Sequence, residues 1–463
     1  MTAMPPETPQ DRWTARLVEL DNTHVWHPFT PMRQWLEGGD EPGRLIVAGE
    51  GFELIDQAGR RYIDGFSSLW CNLHGHRVPQ IDQAICSQLE KIAHSTLLGH
   101  ACPPSIELAE RLARIAPAGL TKVFYSDSGA SAVEVATKSA FQYFRNIGQA
   151  GRQRFIALRE GYHGDTLGAM SLGGIDTFHT LFRPLLFETT FVDSPNAYHH
   201  PAGEQAGRAV LDQIAAILER AGDSYCAVIT EPMIQAAGGM LTHRSGFLRG
   251  LRELTERQGL LLIADEVATG FCRTGRLFAC NHEDVSPDIL CLGKGLTGGY
   301  LPVAATLTSR KVFDAFRGAV TEGKTFYHGH TYTGNALGCA AGVASIDLIF
   351  SSGLLDGLAE KARLMGDRLA ELRDHRHVAD IRQCGLMVGI ELADDRKRRR
   401  GFDPAMQVGA AVCRAARKRG ILTRPLGDVV VLMPAPAMDM ETLERLLRGI
   451  IETIQEHFAA GTV

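Results

Sequence analysis

LLLIAD, Leu260–Asp265, is an apolar run stopped by an acid, and DILCLGK, Asp288–Lys294, is a second run, stopped by a lysine 29 residues after that acid. Unbroken apolar runs of this length suit strands buried on both faces, as in a parallel sheet covered by helices on each side. Lys122–Ser126, Phe155–Arg159 and Ala227–Thr230 extend the series, with amphipathic stretches between them from about residue 120 to residue 340. Strands alternating with helices predict an α/β core. The five runs are followed by SDSG, EGYH, EP, DE and GK. Open α/β sheets bind ligands beyond the carboxyl ends of their strands, so these polar ends are expected to meet at one site.

The flanks read differently. Leu355, Leu358, Ala362, Met365, Leu369 and Leu372 recur at helical spacing, and Leu386–Leu392 follows as a strand. The last helix carries Leu443, Leu446, Leu447, Ile450, Ile451 and Ile454 on one face, with Asp439 as its expected N-cap. It is expected to pack as a lid. Gly51–Asp64 reads as a short hairpin turning at Gln57-Ala58-Gly59. The expected division is a segment 1–75 that joins a smaller C-terminal domain, 345–463, and a large domain, 76–344.

The 463 residues are 45% hydrophobic and 22% charged, enough for a large core and against disorder. The net charge of -5 gives no positive field for nucleic acid or an anionic membrane. Met1–Trp13 is polar, and no run approaches the ~20 apolar residues of a membrane span, so a cytoplasmic protein is expected. Ten cysteines, spread from Cys71 to Cys413 without a CxxC pair, suit packed reduced thiols. No metal is expected.

Several motifs imitate chemistry. GAVTEGKT, Gly318–Thr325, satisfies the P-loop pattern, but helix-like KVFDAF precedes it and glycine-broken FYHGHTYTGN follows. GKGLTG, Gly293–Gly298, matches the dinucleotide fingerprint and follows a strand, yet Tyr300-Leu-Pro-Val comes where a helix is required. The pairs His74/His76, His199/His200 and His328/His330 lack the companions of a metal site and read as loop or core residues. DDRKRRR, Asp394–Arg400, reads as a solvated loop.

Pyridoxal 5'-phosphate chemistry needs a lysine that bonds to the cofactor's aldehyde carbon, a carboxylate opposite the pyridine nitrogen, and a cradle for the phosphate. Asp265 fits the second need, since an acid ending an apolar strand is costly to ionise without a cation beside it. Lys294, between Gly293 and Gly295 at a strand end, fits the first, because low-dielectric surroundings favour the neutral nucleophilic amine. Ser128-Gly129-Ala130 opens a helix with inner face Val133, Ala136, Ala140 and Phe144, so its free amides are the candidate cradle. Ser128 and Ser131 are equally plain helix caps, a role compatible with anion binding. Tyr162 in GYHGD is placed to stack on the ring, with a buried structural tyrosine as the alternative.

WHPFTPM (Trp26–Met32), DGFSSLWCNLHGH (Asp64–His76), DSGASAVEVA (Asp127–Ala136), GYHGDTLGAMS (Gly161–Ser171), EPMIQAAGGM (Glu231–Met240), PDILCLGKGLTGG (Pro287–Gly299) and HGHTYTGN (His328–Asn335) carry a resemblance. Over nearly its whole length the chain resembles the class III, fold type I aminotransferases, and within them the members that aminate 8-amino-7-oxononanoate to 7,8-diaminononanoate in biotin biosynthesis. The resemblance implies a large domain with a mostly parallel seven-stranded sheet and a smaller α+β domain built from both chain ends. It implies pyridoxal 5'-phosphate bound to Lys294, Asp265 at the pyridine nitrogen, Tyr162 over the ring, and Ser128, Gly129 and Ala130 at the phosphate.

It further implies a homodimer with shared active sites, in which His330 and Thr331 belong to the cofactor site and Thr331 reaches the neighbouring subunit's phosphate. Arg424 would clamp a substrate carboxylate. Phe29, Leu69, Trp70 and Gly329 would line the substrate channel. Departures from the family pattern fall at Phe29, Leu69, His330 and Val431, all in the substrate pocket. The amino donor stays open between S-adenosylmethionine and lysine. The alternative is a class III aminotransferase for an ω-amino acid or a diamine.

Overall fold

The computed structural model describes residues 9–38 and 41–459. In chain order its strands are β1 (Ile46–Glu50), β2 (Glu53–Asp56), β3 (Arg61–Asp64), β4 (Leu120–Ser126), β5 (Arg154–Leu158), β6 (Thr190–Val192) and β7 (Tyr225–Thr230). They continue as the short pair β8 (Ile234–Gln235) and β9 (Leu241–Thr242), then β10 (Leu261–Asp265), β11 (Ile289–Leu292), β12 (Ala304–Ser309), β13 (Val378–Cys384) and β14 (Met387–Leu392). The last three are β15 (Ile421–Leu422), β16 (Pro425–Leu426) and β17 (Val429–Leu432).

Seven of these form one sheet in the order β4-β12-β11-β10-β7-β5-β6. Only β12 runs against the rest, antiparallel to both β11 and β4. Every residue of β7, β10 and β11 is buried. Successive side chains enter opposite cores: Leu261 and Ile263 pack in the layer under helix Gly129–Asn146, while Leu262 and Ala264 pack in the opposite layer. Both faces are covered, so no alternation of apolar and polar residues is left in the sequence. Truncating a side chain such as Leu262 to alanine costs about 2–5 kcal/mol in a layer of this kind. The five expected strands are present, each within two residues of its expected ends. Two escaped the sequence reading: β6 has three residues, and β12, AATLTS, is a reversed strand without a strong apolar run.

Because the parallel strands share one direction, their carboxyl ends line up on one edge. The turns after β4, β5, β7, β10 and β11 therefore meet there, which puts residues far apart in the sequence into one place.

Two further four-stranded sheets lie outside this core, β13-β14-β17-β16 and β1-β2-β3-β15. The second joins the two ends of the chain, since β15 pairs in parallel with β3 through Ile421↔Ile63 and Leu422↔Asp64. The β2–β3 turn closes with Gly59 at φ +75°, and Asp56 accepts from the backbone N–H groups of Ala58 and Arg60 at 3.0 and 2.9 Å. Helix Met440–Ala459 buries its expected apolar face, and the Asp439 carboxylate accepts from the Thr442 backbone N–H at 2.8 Å. This is the N-cap bond expected from the sequence.

GAVTEGKT follows helix Arg310–Asp314, holds only a single 3-10 turn at Val320–Glu322, and the next α-helix begins at Ala336, so the strand–loop–helix frame of a P-loop is missing. The loop Asp394–Arg400 is exposed from Lys397 onward, as a solvated run should be, and it carries a backbone β-bridge between Asp395 and Arg400 and a contact from Arg399 to the backbone of Tyr198. No single helix among the described residues is long and apolar enough to cross a membrane.

Candidate active site

Ser128, Gly129, Ala130, Tyr162, Asp265, Lys294 and Trp70 line one cavity of about 490 Å³ at the carboxyl edge of the large sheet. Lys294 follows β11 with a left-handed backbone, φ +42°, and lines this cavity. Its Nζ lies 5.2 Å from the centroid of the Trp70 ring. Burial holds the Lys294 pKa below the ordinary lysine value, against the opposite pull of Asp265 and Glu231. A lowered pKa keeps more of the amine neutral at working pH, the form that attacks a carbonyl carbon.

Asp265 ends β10 and is buried. Its Oδ2 lies 2.7 Å from Nδ1 of His163, and its Oδ1 accepts from the Val267 backbone N–H at 3.1 Å. Glu231, just past β7, is buried beside them and accepts from the backbone N–H groups of Tyr162 and Ala236 at 3.0 and 2.9 Å. Burial pushes its carboxyl up to about 7, with Asp265 adding to the rise and His163 opposing it. His163 and Glu231 were not among the expected site residues. Their only signal was position, since each is a polar residue just past a strand end.

The cradle is built on the first turn of helix Gly129–Asn146. Ser128 caps that helix by accepting from the Ser131 backbone N–H at 3.2 Å. An added Cβ at Gly129 would stand 2.5 Å from Cγ1 of Val267, so glycine is what lets this turn approach the strand end that carries Asp265. Free amides and the positive end of the helix dipole make such a turn suited to a phosphate.

Trp70 sits at the end of an unusual element. Ser67, Ser68, Leu69 and Trp70 all have positive φ, +53°, +48°, +69° and +70°, one turn of left-handed helix made without glycine. Each such residue costs about 1–2 kcal/mol. The turn is held by Asp64, which accepts from the Ser68 N–H at 2.9 Å and from its hydroxyl at 2.7 Å. The buried Arg273 donates to the Ser67 hydroxyl at 3.0 Å and to the Asn72 carbonyl at 2.7 Å. Its result is a buried indole whose Nε1 has no partner among the described residues.

Other expected residues lie elsewhere. Arg424 and Phe29 line a larger cavity of about 800 Å³. Phe29 connects to the first cavity through Phe178, at 5.5 Å between ring centroids, and Phe178 to Tyr162 at 6.1 Å. Leu69 is 45% exposed and lines neither cavity. Gly329, His330 and Thr331 line neither as well; His330 Nδ1 lies 2.8 Å from Oδ2 of Asp127, and the Thr331 carbonyl lies 2.9 Å from Nε2 of His94.

Residues 37–454 match the family model described as aminotransferase class-III. The chain belongs to this family. A class-III relative from Nitratidesulfovibrio vulgaris, named adenosylmethionine-8-amino-7-oxononanoate aminotransferase, is 51% identical over 97% of this chain and 84% of its own length. A protein of the same name from Geobacter sulfurreducens is 47% identical over 95% of this chain and 98% of its own. Among class-III structures, the adenosylmethionine-8-amino-7-oxononanoate aminotransferase of Methanocaldococcus jannaschii superposes with a TM-score of 0.91 at 41% identity, covering 96% of this chain and 99% of that one. An (S)-enantioselective omega-transaminase from Thermomicrobium roseum reaches the same TM-score at 30% identity, with 96% and 98% covered. The fold is thus shared with both kinds of class-III enzyme, and the three relatives named above at more than 40% identity carry the first of these names.

Proposed function

We propose that this chain transfers an amino group to 8-amino-7-oxononanoate, giving the 7,8-diaminononanoate of biotin biosynthesis, with pyridoxal 5'-phosphate as cofactor and S-adenosylmethionine as donor. The observation that carries the reading is one cavity holding a buried lysine amine, a buried carboxylate and a glycine-opened helix start. The names of the relatives select the substrate.

The residues present fit the cofactor. Ser128, Gly129 and Ala130 would hold its phosphate, Asp265 its ring nitrogen, and Lys294 its aldehyde carbon. When bound, the cofactor supplies an electrophilic carbon and a protonated ring that draws electrons from the substrate. Asp265 would keep that ring nitrogen protonated, and His163, 2.7 Å from its Oδ2, fixes the orientation of the carboxylate. The Lys294 amine would take and return the proton at the substrate carbon. Tyr162 donates its hydroxyl to Asp165 at 2.7 Å and covers one side of the cavity, excluding water. Arg424, whose pKa burial lowers, is a planar fork for the carboxylate of the keto acid, and Phe29 and Trp70 give its aliphatic chain an apolar path.

The working form in this reading is a cytoplasmic homodimer. Leu98 is 87% exposed, and Tyr327 and Tyr332 lie exposed beside Gly329–Thr331, an apolar surface that a second copy would cover while Thr331 serves its site. Residues 1–75 and 345–463 act as one smaller domain over 76–344, a division supported by the β3–β15 pairing.

The test is product formation. Purified holoenzyme given 8-amino-7-oxononanoate and S-adenosylmethionine is expected to yield 7,8-diaminononanoate, read by mass spectrometry. Product with lysine alone would replace the donor. No product with either, alongside turnover of an ω-amino acid, would overturn the substrate assignment.

A further inference from the structure

The basic run Asp394–Arg400 plays no part in the site above, yet one of its residues leaves the loop for a purpose. Arg399, with a left-handed φ of +52°, donates to the Tyr198 backbone carbonyl at 2.5 Å and lays its guanidinium 4.6 Å from the Tyr198 ring centroid. The two meet in the wall of a cavity of about 400 Å³, lined also by Arg244, Arg373, Arg382 and the buried Asn196. Lys294 and Asp265 are not among its residues.

The charges of this cavity are unequal. Four guanidinium groups face two lining carboxylates, Glu204 and Asp380. Arg244 pairs with Glu204, and the buried Arg382 pairs with Asp380 and with Glu391, which is not among the lining residues. Arg399 has no carboxylate partner among the described residues, and the Arg373 side chain has no partner there. The Tyr198 hydroxyl is itself buried and unpartnered among the described residues, close enough to Asp380, Glu391, Arg382 and Arg399 to feel their charges. A buried donor without an acceptor is costly, and the exposed guanidinium groups of Arg373 and Arg399, which have no carboxylate partner among the described residues, leave the cavity mouth with positive charge to offer an anion.

We propose that this cavity binds a phosphate group, free or carried by a small organic molecule. Guanidinium forks take tetrahedral oxyanions through paired N–H donors, and Tyr198, whose hydroxyl has no partner among the described residues, is part of the same lining. The volume exceeds that of phosphate alone, leaving room for a short organic remainder.

The test titrates holoenzyme, whose own cofactor phosphate fills the cradle at Gly129, with inorganic phosphate and separately with glycerol 3-phosphate, by calorimetry. Saturable binding of at least one, at one equivalent per chain, is expected. Arg373→Ala and Arg399→Ala remove exposed side chains, and each is expected to weaken binding about tenfold or more. Thermal melts and the visible spectrum of each variant check that fold and cofactor loading persist. Three results would overturn the proposal: no saturable heat with either phosphate, unchanged affinity in both variants, or succinate binding as tightly as phosphate. Binding of glycerol 3-phosphate alone supports it and identifies an organic phosphate as the occupant. Binding of free phosphate alone supports it with the inorganic ion as occupant.

Discussion

His163 Nδ1 stands 2.7 Å from Oδ2 of Asp265, and both side chains are buried at the carboxyl edge of the seven-stranded sheet. The pair joins the turn after β5 to the end of β10, strands separated in the sheet by β7. Asp265 is thereby held at both oxygens, one by His163 and one by the Val267 amide. Asp265→Asn keeps the shape and removes the charge, so kcat/KM is expected to fall about 10²–10³-fold, as for loss of one preorganised electrostatic contact. His163→Gln leaves the charge but loosens its aim, with an expected loss of about tenfold. Steady-state kinetics on cofactor-loaded variants measures both.

Glu231 gives a prediction about stability. Its carboxyl is pushed up to about 7 from 4.5, so between those values the folded chain holds a proton that the unfolded chain releases. The stabilisation from this group is therefore complete below the unfolded value and is lost as pH rises through the folded one. Relative to Glu231→Gln, the cofactor-free protein should lose about 2 kcal/mol of stability between about pH 5.5 and 8. Urea melts of both proteins at the two pH values are the measurement, and a difference independent of pH would contradict the assignment.

Gly129 and Val267 offer a steric test. A methyl group at Gly129 would sit 2.5 Å from Val267 Cγ1, so Gly129→Ala must push the cradle from the strand end. Overpacking of this kind costs about 1–3 kcal/mol, and cofactor affinity is expected to fall about tenfold. Val267→Ala in the same chain makes room for the methyl and should restore most of the loss. Equilibrium dialysis of the cofactor against the three variants reads this cycle.

What the sequence discloses follows from chemistry that is local. Asp265 and Lys294 stand out because each ends an apolar run, where a charge is conspicuous, and Gly129 because it opens an amphipathic helix after a strand. His163 and Glu231 do not, because their burial arises from β5, β7 and β10 lying side by side in an order the chain does not spell out. The left-handed turn Ser67–Trp70 was invisible for another reason. None of its residues is glycine, and its conformation is maintained by Arg273, about 200 positions away. Arg399 was hidden within a run whose composition alone signals solvent, while its actual partner is Tyr198.

The most direct measurement of the central claim is the site of attachment of the cofactor. Holoenzyme is reduced with borohydride, digested, and the modified peptide is sequenced by mass spectrometry. The pyridoxyl mass is expected on Lys294, within the peptide that follows β11, and to vanish in Lys294→Ala together with turnover. The mass on any other lysine, or an active Lys294→Ala enzyme, would contradict the account.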